Sequence, residues 1–156
     1  MPRNFKSTEA LLKPDPRFGS MLATKLINKL MLDGKKSKAQ RIFYEAVDFV
    51  AEKLGVDPQE VFVQAIDNIK PRVEVRSKRV GGATYQVPME VRPKRQQSLA
   101  IRWLMDAARS KRGKPMARRL AEEIFDAYNN QGSAVTKREN VHKMADANKA
   151  YSHFAW

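Results

Sequence analysis

The hydrophobic pattern of this chain changes period twice, and that double change limits its fold more than any other feature. Up to Ile69 apolar residues recur at helical spacing, across residues 72–92 they alternate, and after Pro93 helical spacing returns. Val73 and Val75 alternate with Arg72, Glu74 and Arg76, and Tyr85, Val87, Met89 and Val91 alternate likewise. Gly81 and Gly82 lie between the two runs, and a short glycine turn between alternating segments predicts a β-hairpin. Pro88 confines its strand to an edge, which a two-stranded ribbon permits.

The flanking helices carry their own start and stop signals. Ser20 is a cap for a first helix over 20–32, whose stripe is Leu22, Leu26 and Leu30, with Gly34 as the stop. A second helix spans 37–54, with Phe43, Val47, Val50 and Leu54 inward, and ends at Gly55. Asp57, Pro58 and Glu60 are the cap, first position and capping-box acid of a third, which buries Phe62, Ile66 and Ile69 and stops at Pro71. Ala100, Leu104, Ala107 and Ala108 define a fourth, ending near Gly113. Pro115 opens a fifth with Met116, Leu120, Ile124 and Tyr128 inward, closed by Gly132. Thr136 and Glu139 predict a capping box for a sixth, with Val141, Met144, Ala145 and Asn148 on one side. The expected fold is mainly α: a helical bundle of about six helices with one protruding two-stranded β-hairpin. Residues 1–156 read as a single domain, with 1–17 an irregular basic arm and 72–92 a hairpin arm.

Charge then narrows the partners. Thirty Lys and Arg stand against 17 Asp and Glu, a net of +13, and the pI is near 10.2. Residues 42–69 hold six acids and one base, leaving 29 bases and 11 acids elsewhere. One part of the molecule therefore faces away from a polyanion, or toward another protein, and the remainder carries the electrostatic footprint of nucleic-acid binding. No apolar run approaches a membrane span, the N-terminal residues do not resemble a signal peptide, and a soluble, unexported protein is expected.

Catalysis is not indicated. The chain has no cysteine and two histidines, His142 and His153, which read as surface or RNA-facing groups. Gly34-Lys35-Lys36-Ser37 lacks the upstream glycine of a phosphate loop, since Lys29 stands there, and it follows a helix where such a loop follows a strand. Lys35 and Lys36 instead offer phosphate contacts from a helix–helix turn. The acids of 42–69 form no ligand loop, so neither metal nor cofactor is expected.

Two basic concentrations stand out. The hairpin region carries Arg72, Arg76, Lys78, Arg79, Arg92, Lys94 and Arg95 against Glu74 and Glu90. A lone ribbon is marginal in water, so one this basic makes sense as an arm laid on RNA; a charged edge that merely resists aggregation is the alternative. Arg109, Lys111, Arg112, Lys114, Arg118 and Arg119 form a second run without an acid, at the junction of the fourth and fifth helices. Trp103 reads as core. Tyr85 fits base stacking and cross-strand packing equally, and Tyr151, Phe154 and Trp156 read as docked on the body.

Several motifs together resemble one family. Pro14-Asp15-Pro16-Arg17-Phe18-Gly19-Ser20, then Asn28-Lys29-Leu30-Met31-Leu32-Asp33-Gly34-Lys35-Lys36-Ser37, look like small-subunit ribosomal protein number seven of bacterial type. So do residues 73–88, from Val73-Glu74-Val75-Arg76 through Gly81-Gly82 to Val87-Pro88, and the stretch Lys137-Arg138-Glu139-Asn140-Val141-His142-Lys143-Met144-Ala145. The resemblance covers nearly the whole chain; residues 1–12 match least. It implies a structural constituent of the small ribosomal subunit that binds the head domain of its rRNA directly and seeds head assembly. It also implies a hairpin (Lys78, Arg79, Gly81, Gly82, Tyr85) beside the exit-site tRNA and the mRNA path, small-subunit proteins nine and eleven as neighbours, no membrane and no homo-oligomer. The implied address is cytoplasmic, with the plastid stroma as the alternative. Arg3, Lys6, Lys137 and Arg138 join the basic residues above as rRNA-contact candidates. A DNA-bending protein with a basic β-arm and an RNA-processing enzyme are the competing classes; the first lacks a visible dimer surface, the second an acid–base or metal constellation.

Overall fold

The computed structural model describes residues 8–155. Its elements are helices α1 (Met21–Leu30), α2 (Lys36–Leu54) and α3 (Pro58–Ile69), strands β1 (Val73–Val80) and β2 (Ala83–Glu90), then helices α4 (Pro93–Ser110), α5 (Met116–Tyr128) and α6 (Ser133–Ala147). Short 3-10 helices, Thr8–Leu11 and Lys149–Phe154, flank them. The expected mainly-α bundle with one ribbon is the observed architecture.

Helix α5 packs against α2, α3 and α4, and α1 closes the bundle against α2 and α4. Most residues of the predicted stripes are buried: Leu26 and Leu30 of α1, Phe43, Val47 and Val50 of α2, Phe62, Ile66 and Ile69 of α3, Ala100, Leu104, Ala107 and Ala108 of α4, Leu120 and Ile124 of α5; Leu22, Leu54, Met116 and Tyr128 are half-buried, and Met105, outside the predicted stripe, joins the core. Each of the larger aliphatic and phenylalanine side chains contributes roughly 1.5–3 kcal/mol when fully buried. Phe18, Phe43 and Phe62 meet at centroid distances of 5.4–6.3 Å. Of the segment expected to be an irregular arm, the last residues are fastened to this cluster. Asp15 is buried and accepts from the Arg17 and Phe18 N–H groups and, at 2.7 Å, from the Tyr44 hydroxyl. Burial and this bond push the Tyr44 hydroxyl up to about 12. Arg17 in turn grips both carboxylate oxygens of Asp48, at 2.8 and 2.6 Å.

Caps explain most boundaries. Ser20 Oγ accepts from Ala23 N, and Asp57 accepts from Gln59 N and Glu60 N. Helix α1 ends at Leu30, two residues before the expected 32, because Met31 is already extended and Asp33 and Gly34 turn the chain with φ of 51° and 70°. The hairpin turns at Gly81 and Gly82, both with positive φ, and pairs Val80 with Ala83 through Val73 with Glu90.

Three expectations about the start and face of α6 need correction, and β1 resolves a point that the alternation leaves open. In β1 the alternation does not say which face is buried, and the buried residue is Glu74, which shares a ribbon face with the fully buried Val87. Its carboxylate accepts from Arg76 Nε at 2.7 Å and Arg95 Nε at 2.9 Å. In α6 the cap is Gly132, and Thr136 sits inside the first turn, its hydroxyl donating to Gly132 O. The predicted capping box is therefore absent, and Gly132 opens α6 where it was expected to close α5. The N-terminal amide of Ala134 donates instead to Glu123 Oε1, 2.8 Å away on α5. A Cβ on Gly132 would lie 2.9 Å from Asp126 Cβ and 3.0 Å from Glu123 Oε1, so a glycine lets the two helices approach. Met144, expected inward, is half exposed, while Ala134, Val135 and Ala145 form the buried side.

Glu123 is fully buried, and its other oxygen lies 3.0 Å from Lys111 Nζ. Replacing one partner of such a pair leaves an uncompensated charge and costs about 3 kcal/mol or more. Glu123→Ala is expected to lower the free energy of urea unfolding by about 3 kcal/mol, and Glu123→Gln, which keeps the acceptor for Ala134, by less. Equal, small losses in both variants would mean that α6 is seated by apolar packing alone.

Candidate nucleic-acid interface

Helical periodicity places Lys25 and Lys29 one turn apart on α1, and Lys94, Ser98 and Arg102 one turn apart on α4. Where the helices meet, these residues line one groove together with Gln97 and Ile101, and no acid is among the described residues lining it. Lys25 Nζ donates to Gln97 Oε1 at 3.1 Å across it. Arg109, at the end of α4, donates to Lys29 O at 3.0 Å and so joins this groove to a second cleft bearing Lys35, Lys38 and Arg119. The result is a continuous cationic face over α1, α4 and the α1–α2 turn. Field lines concentrate in such a concavity, favouring a polyanion. Lys25, Lys29, Lys38 and Arg102 belong to it and escaped the sequence reading, although the four-residue spacing of Lys25 with Lys29 and of Ser98 with Arg102 was a usable signal.

The candidate cations do not all share that face. Lys111 turns inward to Glu123 and Asp126; burial acts to lower its pKa, but the hydrogen bond to Glu123 and the two negative charges prevail and hold it above the ordinary value. Lys114 pairs with Glu122, whose carboxyl is pulled below its usual range by that bond. Arg118 lies over the Phe49 ring at 4.0 Å. Arg119 donates to Lys111 O at 2.7 Å, which fixes its guanidinium at the cleft wall. The run of six therefore divides: Arg109 and Arg119 line the cationic cleft, Arg112 is exposed in the connecting turn, and the rest are engaged with α5 and α2. The acids that neutralise it come from one to two turns further along α5, beyond the reach of a local charge count.

In the hairpin, Arg76 and Arg95 converge on Glu74. Lys78 Nζ donates to Phe154 O at 2.7 Å, and Tyr85 packs at 5.1–5.2 Å from the Phe154 and Tyr151 rings. The C-terminal aromatics thus dock on the ribbon, while Trp156 lies outside the described residues. Arg79, Gly81 and Gly82 at the tip and Arg92 and Lys94 at the base are exposed. Lys36 is exposed, and Lys35 stands 3.6 Å from Asp33. On α6, Lys137 is exposed, but Arg138 is half buried and donates to Asn68 O. Arg3 and Lys6 lie outside the described residues.

His142, read as a surface group, accepts from Arg72 N at 3.0 Å through Nε2 and fixes the root of the hairpin to α6. Burial, with Arg138 and Arg72 nearby, holds its pKa below the ordinary value, so it is a neutral acceptor at neutral pH. A separate groove between α2 and the start of α5 is lined around Phe49 by three acids, Glu45, Asp48 and Glu52, and by two bases, Arg41 and Arg118. Among the described residues no group of three His, Asp or Glu is placed to hold a metal ion, and no helix is long and apolar enough to cross a membrane.

The family described as ribosomal protein S7p/S5e matches residues 2–149. Small ribosomal subunit protein uS7 of Fervidobacterium nodosum is 56% identical over 154 residues, 99% of each chain. The uS7 protein of Solidesulfovibrio magneticus is 56% identical over the full length of both, and that of Thermotoga maritima 54% identical over 99% of each.

Lys25→Glu combined with Arg102→Glu is expected to weaken binding to a head-domain fragment of small-subunit rRNA at least about tenfold and to flatten the salt dependence by roughly one unit per lost phosphate contact. Glu45→Lys with Glu52→Lys, in the acidic groove, should leave both unchanged. Filter binding at several salt concentrations measures both; tighter binding by the Glu45→Lys, Glu52→Lys variant with no loss in the Lys25→Glu, Arg102→Glu variant would mean that the polyanion lies on α2.

Proposed function

Because the chain belongs to the ribosomal protein S7p/S5e family, we propose that it is a primary binder of the head domain of small-subunit rRNA, nucleating head assembly and holding its hairpin near the exit-site tRNA and the mRNA path. It is a structural constituent of the small ribosomal subunit and not an enzyme. Its relatives above are bacterial, so its place is the ribosome of a bacterial cytoplasm.

The observation that carries the rRNA reading is the groove between α1 and α4 in which Lys25, Lys29, Lys94 and Arg102 converge. Phosphate contacts supply affinity and register, and a rigid groove supplies them with little ordering cost because helix packing already fixes its walls. The exposed cations Arg79, Arg92 and Lys137 extend the contact beyond it, and residues 1–156 act as one rRNA-binding domain with the N-terminal arm and hairpin as outlying contacts. Arg76, Arg95, Lys111, Lys114 and Arg138 serve this surface indirectly, by holding the ribbon, α5 and α6 in position. The acidic groove on α2 supports a protein-facing side for neighbouring small-subunit proteins, among which nine and eleven are the proposed contacts. The hairpin suits the tRNA side because its tip, Arg79 to Gly82, projects beyond any core residue.

The isolated protein should bind a head-domain rRNA fragment without helpers and lose about 10³–10⁵ in affinity between 50 and 200 mM salt if roughly 6–10 phosphates are contacted, by the duplex scale. Equal affinity for an unrelated RNA of the same length would refute specific recognition. Small subunits assembled with residues 77–86 replaced by a short turn should incorporate the protein, since Val87 and the bundle stay intact, yet release exit-site tRNA faster. Failure to incorporate would make the ribbon an assembly element; unchanged tRNA release would remove its role at that site.

A further inference from the structure

We propose that the cleft between the α1–α2 turn and the start of α5 receives one unpaired nucleobase of RNA, whose flanking phosphates are held by the cleft's cationic rim. This rests on the RNA-binding reading above and names a contact of a different kind within it.

The cleft encloses about 400 Å3, the size of clefts that take small organic ligands. Its floor is apolar, formed by Leu30, Ile42 and Met116. At its edge Leu32 is 65% exposed, an aliphatic side chain standing among charged residues. The backbone holds it there: Lys35 N donates to Leu32 O at 3.0 Å, and Asp33 and Gly34 both take positive φ. Among the described residues nothing covers this side chain, and an apolar surface of this kind gains from being covered.

The rim decides what covers it. Lys35, Lys38, Arg109 and Arg119 surround the floor, and Asp33 is the one acid among the described residues lining the cleft. Arg109 and Arg119 are held in place by the carbonyls of Lys29 and Lys111, so their charges are fixed at the mouth without a carboxylate on either. Four cations around an apolar floor repel a basic protein extension. A nucleotide presents a flat, weakly polar face and a phosphate a few ångströms away, which matches both parts at once. Unstacked bases of single-stranded loops are recognised by stacking on aromatic or guanidinium planes while cations take the backbone; here Leu32 and the apolar floor take the place of the aromatic plane. The groove of α1 and α4 reads phosphate alone; this cleft adds a base-dependent term.

The test uses the full chain with methyl-labelled Leu, Ile and Met and two probes, hexaadenylate and an abasic ribose-phosphate oligomer of equal length. Hexaadenylate should bind about five- to tenfold tighter than the abasic chain, near the low end of the range for covering one base. Ring-current shifts should appear at the Leu30, Ile42 and Met116 methyls with hexaadenylate only. Leu32→Ser, at an exposed position, should abolish the preference while leaving abasic affinity unchanged; Lys38→Ala should weaken both probes alike. Equal affinities with unshifted floor methyls would overturn the base pocket, and wild-type binding to the head-domain fragment would then leave the rRNA reading standing. Failure of that fragment to bind would remove the rRNA reading and this inference together.

Discussion

A carboxylate sealed from water has to be neutralised by whatever surrounds it, and Glu123 meets that demand by taking Lys111 on one oxygen and the Ala134 amide of α6 on the other. Leaving such a charge unpaired costs several kcal/mol, so the α4–α5 turn and the start of α6 are bound to one point on α5. The consequences run outward. With α6 seated, His142 accepts from Arg72 N and Arg138 donates to Asn68 O, and both contacts lie at the root of the hairpin. The ribbon has no core of its own beyond Val87, so its direction is inherited from α6 and from the terminal 3-10 helix that covers Tyr85. An interior ion pair therefore sets the aim of an exposed arm.

The surplus of positive charge divides into two populations. Cations that meet a carboxylate, such as Lys111, Lys114, Arg76 and Arg95, act as fasteners within the fold. Those of the α1–α4 groove and the adjoining cleft line cavities in which Asp33, 3.6 Å from Lys35, is the one acid among the described residues. Net charge alone does not distinguish them, because a Lys paired at 3 Å contributes little field beyond its partner. The binding surface is thus narrower and more rigid than a tally of Lys and Arg suggests, and it lies on helices fixed by the main core.

Much of the fold was legible because local signals agreed with tertiary packing. Ser20, Asp57, Pro58, Gly55 and Gly81-Gly82 each stand where backbone geometry requires them, and most residues of the apolar stripes of α1 to α5 are buried. The start of α6 was misread because its cap comes from Glu123, ten residues before α6 begins and on another helix; Thr136 and Glu139 mimic a local box that tertiary contact displaces. The alternation in β1 was legible as a period, but not which face is inner, since two arginines on Glu74 decide that it takes the inner side. The candidate site was half legible for a related reason. Runs of adjacent basic residues are conspicuous in a sequence, whereas Lys25, Lys29 and Arg102 gather only when two helices 70 residues apart are laid side by side.

Two exposed hydrophobic side chains report directly on which surface meets RNA. Leu32 stands at the edge of the cationic cleft and Phe49 lies in the acidic groove of α2, and both react with hydroxyl radicals when open to water. Mass-spectrometric footprinting of the protein, free and bound to a head-domain rRNA fragment, compares the two within one molecule. The account predicts strong protection of Leu32 on binding and an unchanged rate at Phe49. Protection of Phe49 with Leu32 still open would contradict it.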